Sequence, residues 1–292
     1  SETLLSNQMA AFGITPFGVT DGTDPAAIRA AADAARAKGR VGLILVETPA
    51  NPTNGLVDLA ACAAIADELG TTQGHRPPVV VDNTLLGPLF QTPLRCGANL
   101  TLCSLTKYVG GHSDLVGGSV SGSAALVQTV MRWRSAIGTQ LDPNSCWMLM
   151  RSLETLHVRM SRANENARVV AEYLAAHPKV ARVHYLGFLT EPRAKAVFER
   201  QCTGAGSTFA FDVKGGEAEA FRLLDHLQIM KLAVSLGGTE TLISHPASMT
   251  HSGVPRAMRE EIGLTDALIR ISVGIEAAED LVSDLAQALE FV

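Results

Sequence analysis

A lysine stands in the stretch Ser104-Leu-Thr106-Lys107-Tyr-Val-Gly-Gly111-His112, shortly after a serine and a threonine and just before a double glycine. That spacing, with its double glycine, puts an amine beside two hydroxyls on a short flexible turn. Upstream, Asp82 closes the apolar run Val79-Val-Val, which puts a carboxylate at the rim of a sheet. An amine so placed forms an imine with an aldehyde. Two hydroxyls beside it hold a phosphate, and a carboxylate pairs with a protonated ring nitrogen. These are the parts needed to hold pyridoxal phosphate.

Each residue alone has an ordinary explanation. Most lysines are solvated surface groups. An aspartate at a strand end caps a helix or a turn, and serine and threonine near a turn usually bond the backbone. Lys107, however, follows Leu100-Thr-Leu-Cys-Ser-Leu105, an apolar run of the kind covered on both faces of a sheet. A residue just past such a strand sits where open α/β sheets bind ligands. The pieces in this order are much rarer than any one of them.

The elements that must position them alternate. Residues 17–20 read as a short strand and 25–37 as an alanine-rich helix capped by Asp24. Residues 41–46 read as a buried strand, 58–69 as a helix and 79–81 as a buried strand. Residues 100–103 and 118–121 continue the series, which predicts a mostly parallel sheet with helices on both faces. Residues 71–78 read as a polar loop, and 3–12 as the inside of a helix. Residues 143–176 read as a long helical region, and the change of domain is placed inside it. The expected division is 1–154, a large α/β domain, and 155–292, a smaller α+β domain. In the second, residues 180–185, 207–213, 233–236 and 267–273 read as strands.

The chain has 292 residues, 47% hydrophobic and 18% charged, with a net charge of −5. This is an ordinary composition for a folded protein, with no basic stripe, so no nucleic-acid partner is expected. No apolar run is long enough to span a bilayer, so no membrane partner is expected either. The five cysteines (Cys62, Cys96, Cys103, Cys146, Cys202) show no CxxC spacing. They read as thiols of a reducing compartment, and a cytoplasmic location and no metal site are the expectations. Among the histidines only His112 and His245 lie in motif-like settings.

Taken together, Glu47-Thr-Pro-Ala-Asn51-Pro, Val81-Asp82-Asn-Thr84, Ser104 through Asp114, and His245-Pro-Ala-Ser-Met-Thr-His251 resemble the cystathionine γ-synthase-like family of Cys/Met-metabolism enzymes. That resemblance covers the whole chain. It implies a pyridoxal-phosphate enzyme with the aspartate-aminotransferase type of fold. Lys107 is then the Schiff-base lysine and proton carrier, and Asp82 the partner of the pyridine nitrogen. Ser104 and Thr106 are phosphate ligands, and Asn51 lies near the ring hydroxyl. Arg270, in Ile269-Arg-Ile-Ser, becomes the clamp for the substrate α-carboxylate, with Ser235 beside it. By spacing alone Arg270 reads equally well as one arm of a rim salt bridge. Family members run to roughly 400 residues, so about a hundred are expected upstream of Ser1. Those would include the ring-stacking tyrosine, the glycine-rich phosphate turn, and the tyrosine and arginine lent by a neighbouring subunit. The resemblance also implies a homotetramer, a dimer of dimers with shared active sites.

The family divides between γ-elimination, γ-replacement and β-elimination. In the stretch Leu232-Ala-Val234-Ser235-Leu-Gly-Gly, cystathionine-processing members usually carry glutamate where this chain has Val234. A valine cannot pair with the distal ammonium of cystathionine and suits a short apolar tail. The expected activity is therefore that of a methionine γ-lyase, a carbon–sulfur lyase. The alternatives are γ-replacement on an O-acylhomoserine (cystathionine γ-synthase or O-acylhomoserine sulfhydrylase) and cystathionine γ-lyase. A ligand-sensing module on an inactive aminotransferase-like body is a non-enzyme alternative, against which stand Lys107, Asp82 and Arg270.

Overall fold

The computed structural model describes residues 4–292. Its first half builds a four-stranded sheet. Helix α1 (Pro25–Lys38) opens with a proline, and the Asp24 carboxylate accepts the Ala26 N–H, which satisfies a free helix-end donor. Strand β1 (Ile44–Glu47) leads to helix α2 (Leu59–Gln73), capped by Asp58 through the Ala61 N–H. Strand β2 (Val79–Asp82) is followed by the short helix α3 (Gly87–Phe90). Strands β3 (Leu100–Ser104) and β4 (Gly118–Gly122) complete the sheet in the order β1-β2-β3-β4. Strands β1, β2 and β3 run parallel, and β4 returns antiparallel to β3. The three valines of β2 are buried, as a central parallel strand requires.

Three helices follow: α4 (Ala124–Ile137), α5 (Pro143–Glu154) and α6 (Leu156–Ala176). The second half then folds on β5 (Val180–His184), α7 (Pro192–Gln201), β6 (Thr208–Val213), α8 (Glu217–His226), β7 (Lys231–Leu232), β8 (Leu242–Ser244), α9 (Arg256–Glu261), β9 (Leu268–Ser272) and α10 (Ala278–Leu289). The sheet order is β5-β6-β9-β8-β7. Alternation along β9 decides what it presents. Ile269 and Ile271 pack with Phe209, Phe211 and the inner faces of α6, α8 and α10. Arg270 and Ser272, opposite Ala210 and Thr208, lie on the other face, toward the first half.

Several expected elements fall elsewhere. Residues 17–20 form no strand; Phe17 and Val19 are exposed and pair with nothing regular. The strand expected at 41–46 is 44–47, and Leu43 and Leu45 are exposed, so it is not buried as its apolar run implied. Residues 71–73 belong to α2, which shortens the polar loop. Residues 4–12 form two irregular turns, and Thr3 lies outside the described residues. Residues 233–236 leave the sheet after the Ala233 N–H bonds the Ile243 carbonyl; the strand there is 231–232. Apart from Leu100, β3 is only half-buried, because Thr101 and Cys103 line a cavity of about 560 Å³ shared with Leu149 and Leu153 of α5. Among the described residues no helix is long and apolar enough to cross a membrane.

Candidate active site

Strands β2 and β3 end side by side, so Asp82 and Ser104 reach the same rim. Thr84 joins them. Its hydroxyl donates to Asp82 Oδ1 at 2.6 Å and accepts the Ser104 N–H at 2.9 Å. The Thr84 N–H also donates to Asp82 Oδ1, at 3.0 Å. Among the described residues the second carboxylate oxygen of Asp82 takes no hydrogen bond and is left to accept a donor from a ligand.

Past Ser104 the chain makes a wide helical turn, Leu105–Val109, in which Lys107 departs from helical geometry with φ −95° and ψ −133°. The expected flexible turn is thus a defined one. Lys107 Nζ donates to Ser235 Oγ at 3.0 Å. Burial, and then the positive Arg270 nearby, hold the amine below the usual lysine value, which favours the neutral, nucleophilic form.

Arg270 is 2% exposed. Its Nη2 donates to the carbonyls of Val234 (2.7 Å) and Ser235 (2.8 Å), and its Nη1 to Asn51 Oδ1 at 3.3 Å. No carboxylate pairs with it among the described residues, so the rim salt bridge does not form. Its Nε is buried without a partner. A buried unpaired guanidinium donor is costly, and a ligand carboxylate is the group that satisfies it bidentately. Burial lowers this guanidinium to about 10, so it stays cationic at neutral pH.

Lys107, Ser235, Arg270 and Asn51 therefore meet, and Asp82 and Ser104 share the strand rim that leads into Lys107. Ser235 links two of them, its hydroxyl holding the amine and its carbonyl the guanidinium. Val234 shares the carbonyl grip, but its side chain is 55% exposed at the rim. Asn51 is placed by Glu47, whose carboxylate accepts the Asn51 N–H at 3.0 Å. Ser104 makes no capping bond with its hydroxyl. Thr106 differs: its hydroxyl bridges the Gly117 carbonyl (3.3 Å) and N–H (3.0 Å), so its one proton is already in use. His112 and His245 stand outside the chemistry. Gly110 O lies 2.7 Å from His112 Nδ1, and buried His245 sits between Ser248 Oγ and the Asp266 carbonyl.

Residues that sequence reasoning missed also shape the site. Thr84 is one; Tyr108, whose hydroxyl bonds Ser207 Oγ (2.9 Å) and Thr208 Oγ1 (2.7 Å), is another. Asn54 is a third. Its Nδ2 donates to the carbonyls of His184 (3.1 Å) and Thr208 (3.0 Å), tying the first half to the second sheet. Thr84 and Tyr108 lie inside the quoted motifs, the one hint of them, and Asn54 lies just past the first.

The group with an aldehyde, a phosphate, a ring hydroxyl and a ring nitrogen fits this donor set. An amine held below its usual basicity, a free carboxylate oxygen, a free hydroxyl and an amide lie on one rim, with an orphaned guanidinium donor for a substrate carboxylate. Among the described residues no cluster of metal-ligating side chains occurs.

Comparison with known proteins gives the same assignment. The family profile for Cys/Met metabolism PLP-dependent enzymes matches residues 1–290. An L-methionine gamma-lyase from Fusobacterium nucleatum is 39% identical over 281 residues, covering 95% of this chain and 69% of that protein. A cystathionine gamma-lyase from Bacillus subtilis is 44% identical over 248 residues, covering 85% of this chain and 63% of that protein. The crystal structure of a cystathionine gamma synthase from Xanthomonas oryzae, in complex with aminoacrylate and cysteine, superimposes with a TM-score of 0.89 at 40% identity. That superposition covers 99% of this chain and 72% of the other. The chain thus spans about two thirds of the length of the curated relatives it matches, 69% and 63% for the two named. It has the PLP-dependent α/β fold of transsulfuration enzymes, and it belongs to the Cys/Met metabolism PLP-dependent enzyme family.

Proposed function

We propose that the protein is a PLP-dependent carbon–sulfur lyase that carries out γ-elimination on methionine, releasing methanethiol, ammonia and 2-oxobutanoate. When bound, PLP supplies an aldehyde carbon for covalent attachment and a protonated ring that draws electrons from the substrate Cα. Lys107 would hold it through the amine, Asp82 through the ring nitrogen, and Asn51 near the ring hydroxyl. Ser104 would hold the phosphate with its free hydroxyl, and Thr106 would join it on giving up its long bond to the Gly117 carbonyl.

The chain's own residues do the rest. Arg270 receives the α-carboxylate, and its fixed fork orients Cα. Lys107 Nζ takes the proton from Cα and delivers one further along the carbon chain. Ser235 keeps the proton carrier and the carboxylate clamp in register, since both are anchored on it. The observation that carries the substrate choice is Val234. It stands next to that anchor with an apolar, accessible side chain, which offers a methylthio tail contact and a distal ammonium no counter-charge. The support from relatives is divided, since those named above include a methionine γ-lyase, a cystathionine γ-lyase and a cystathionine γ-synthase.

We place the division between large and small domains at residues 154/155, where α5 ends and α6 begins. We also propose a homotetramer with shared sites. Apolar side chains exposed on α4–α6, including Trp133 (65%), Ile137 (66%), Trp147 (60%) and Met150 (69%), are the surface such contacts cover. The five free thiols accord with a cytoplasmic setting.

The test is product analysis of the cofactor-loaded protein with methionine, cystathionine, and O-acetyl- or O-succinylhomoserine plus cysteine or sulfide. Methanethiol and 2-oxobutanoate from methionine at the highest kcat/KM support the proposal. Faster turnover of cystathionine, or formation of cystathionine from an acylated homoserine, would replace it with the corresponding alternative.

A further inference from the structure

Arg159 lies in the first turn of α6 and is 7% exposed. No carboxylate pairs with it among the described residues. Its guanidinium donates to backbone instead: Nη1 to the Tyr108 carbonyl at 2.7 Å, and Nη2 to the carbonyls of Val109 (3.2 Å) and Ser152 (2.9 Å). Its Nε donates to Thr155 Oγ1 at 3.1 Å. A buried cation with no counter-ion is expensive, and a packing role alone is met by methionine or leucine. What the charge obtains here is a grip on the two residues that follow Lys107.

That grip has a matching vacancy in the sequence. Gly111 has φ +70°, and a Cβ on it would overlap Arg159 Nη1. The second glycine of the lysine motif is therefore the space into which the guanidinium fits. Tyr108 is held at both ends, its carbonyl by Arg159 and its hydroxyl by Ser207 and Thr208. Lys107, outside helical geometry, is thus followed by a clamped main chain.

We propose that Arg159 is a positioning residue for Lys107: by fixing the carbonyls of Tyr108 and Val109 it directs Nζ toward Ser235 and Arg270. The inference rests on the reading of Lys107 as the residue that takes the cofactor aldehyde, where the amine adds to the carbonyl carbon and water leaves.

The test compares wild type, Arg159→Lys and Arg159→Met by two measurements. The first is the rate at which cofactor-free protein takes up PLP covalently, followed by absorbance and by borohydride trapping at Lys107. The second needs no cofactor: the pH profile of Lys107 acylation by a small reagent, read by mass spectrometry. Arg159→Met is expected to slow uptake on the order of ten- to a hundred-fold and to displace the acylation profile. Arg159→Lys, which keeps the charge but not the fork, is expected to fall between. Folded variants with wild-type uptake and profile would overturn the inference. Where neither variant folds, Thr155→Val keeps the guanidinium and removes the acceptor of Nε, together with the 3.3 Å bond from the Thr155 hydroxyl to the Ser152 carbonyl. Slower uptake in it supports the inference, and unchanged uptake overturns it. Wild-type protein that takes no PLP on Lys107 sinks the cofactor reading itself, while the acylation profiles still decide the role of Arg159.

Discussion

Substituting Gly111 by alanine tests the packing around the lysine turn with numbers taken from its geometry. The backbone there has φ +70°, and placing a Cβ in the left-handed region costs about 1–2 kcal/mol. The same Cβ overlaps Arg159 Nη1, so the guanidinium must withdraw from the Tyr108 carbonyl. Losing a hydrogen bond from a charged donor costs about 1.5–3 kcal/mol. Gly111→Ala should therefore destabilise by about 2.5–5 kcal/mol, the sum of the two. Arg159→Met keeps the apolar stem and removes the head, leaving the Tyr108 and Val109 carbonyls without their donor. In the double variant the guanidinium is gone, and what survives of Gly111→Ala is the backbone cost and a close approach of 3.1 Å to the Tyr108 carbonyl. The two changes should then fall short of additivity by about 1.5–3 kcal/mol. Urea unfolding of the four proteins gives the cycle, provided the m-values agree. Additivity within about 0.5 kcal/mol would show that Gly111 and Arg159 do not meet and would refute the reasoning.

Lys107→Ala should abolish turnover and the visible band of the covalently held cofactor; a retained band trapped by borohydride on another lysine removes Lys107 from its role. Asp82→Asn keeps the acceptor for Thr84 but loses the charge, and kcat should drop on the order of a hundredfold or more, with wild-type activity as the adverse result. Val234→Glu should raise kcat/KM for cystathionine relative to methionine, and an unchanged ratio counts against the rim argument. The Lys107 amine is lowered by burial and then by Arg270, so Arg270→Met should move its acylation profile to higher pH; a fixed profile would show that Arg270 exerts no such influence. Because the native value lies below the ordinary 10.5, the unfolded chain holds the extra proton between the two. Stability should rise with pH across that window, and Lys107→Met should flatten the rise.

Much of the site was legible because it lies at strand ends. An apolar run closed by Asp82, and another leading into Lys107, mark a sheet rim directly. Arg270 was legible only through resemblance, since an arginine inside Leu-Ile-Arg-Ile-Ser gives no sign of whether it faces a core, a carboxylate or a ligand. Arg159 was not legible at all. On a helix with recurring charges it reads as one more solvated residue, and only tertiary packing turns it inward against the lysine turn. Gly111 read as flexibility for the same reason, because its necessity comes from a side chain 48 residues away. The strand expected at 17–20 failed for want of a neighbour, since apolar alternation makes a strand only where another strand can pair with it. The expected strand at 233–236 failed because Arg270 draws two of its carbonyls out of the ladder.

The clamp holds its rim loop by main-chain oxygens, which every residue type possesses. Position 234 can consequently change identity by a single codon without loosening Arg270. On the function proposed above, a lineage of such proteins is free to drift from one sulfur-bearing tail to another while its reaction centre stays intact. For protein engineering, the same arrangement makes residue 234 the place to randomise first.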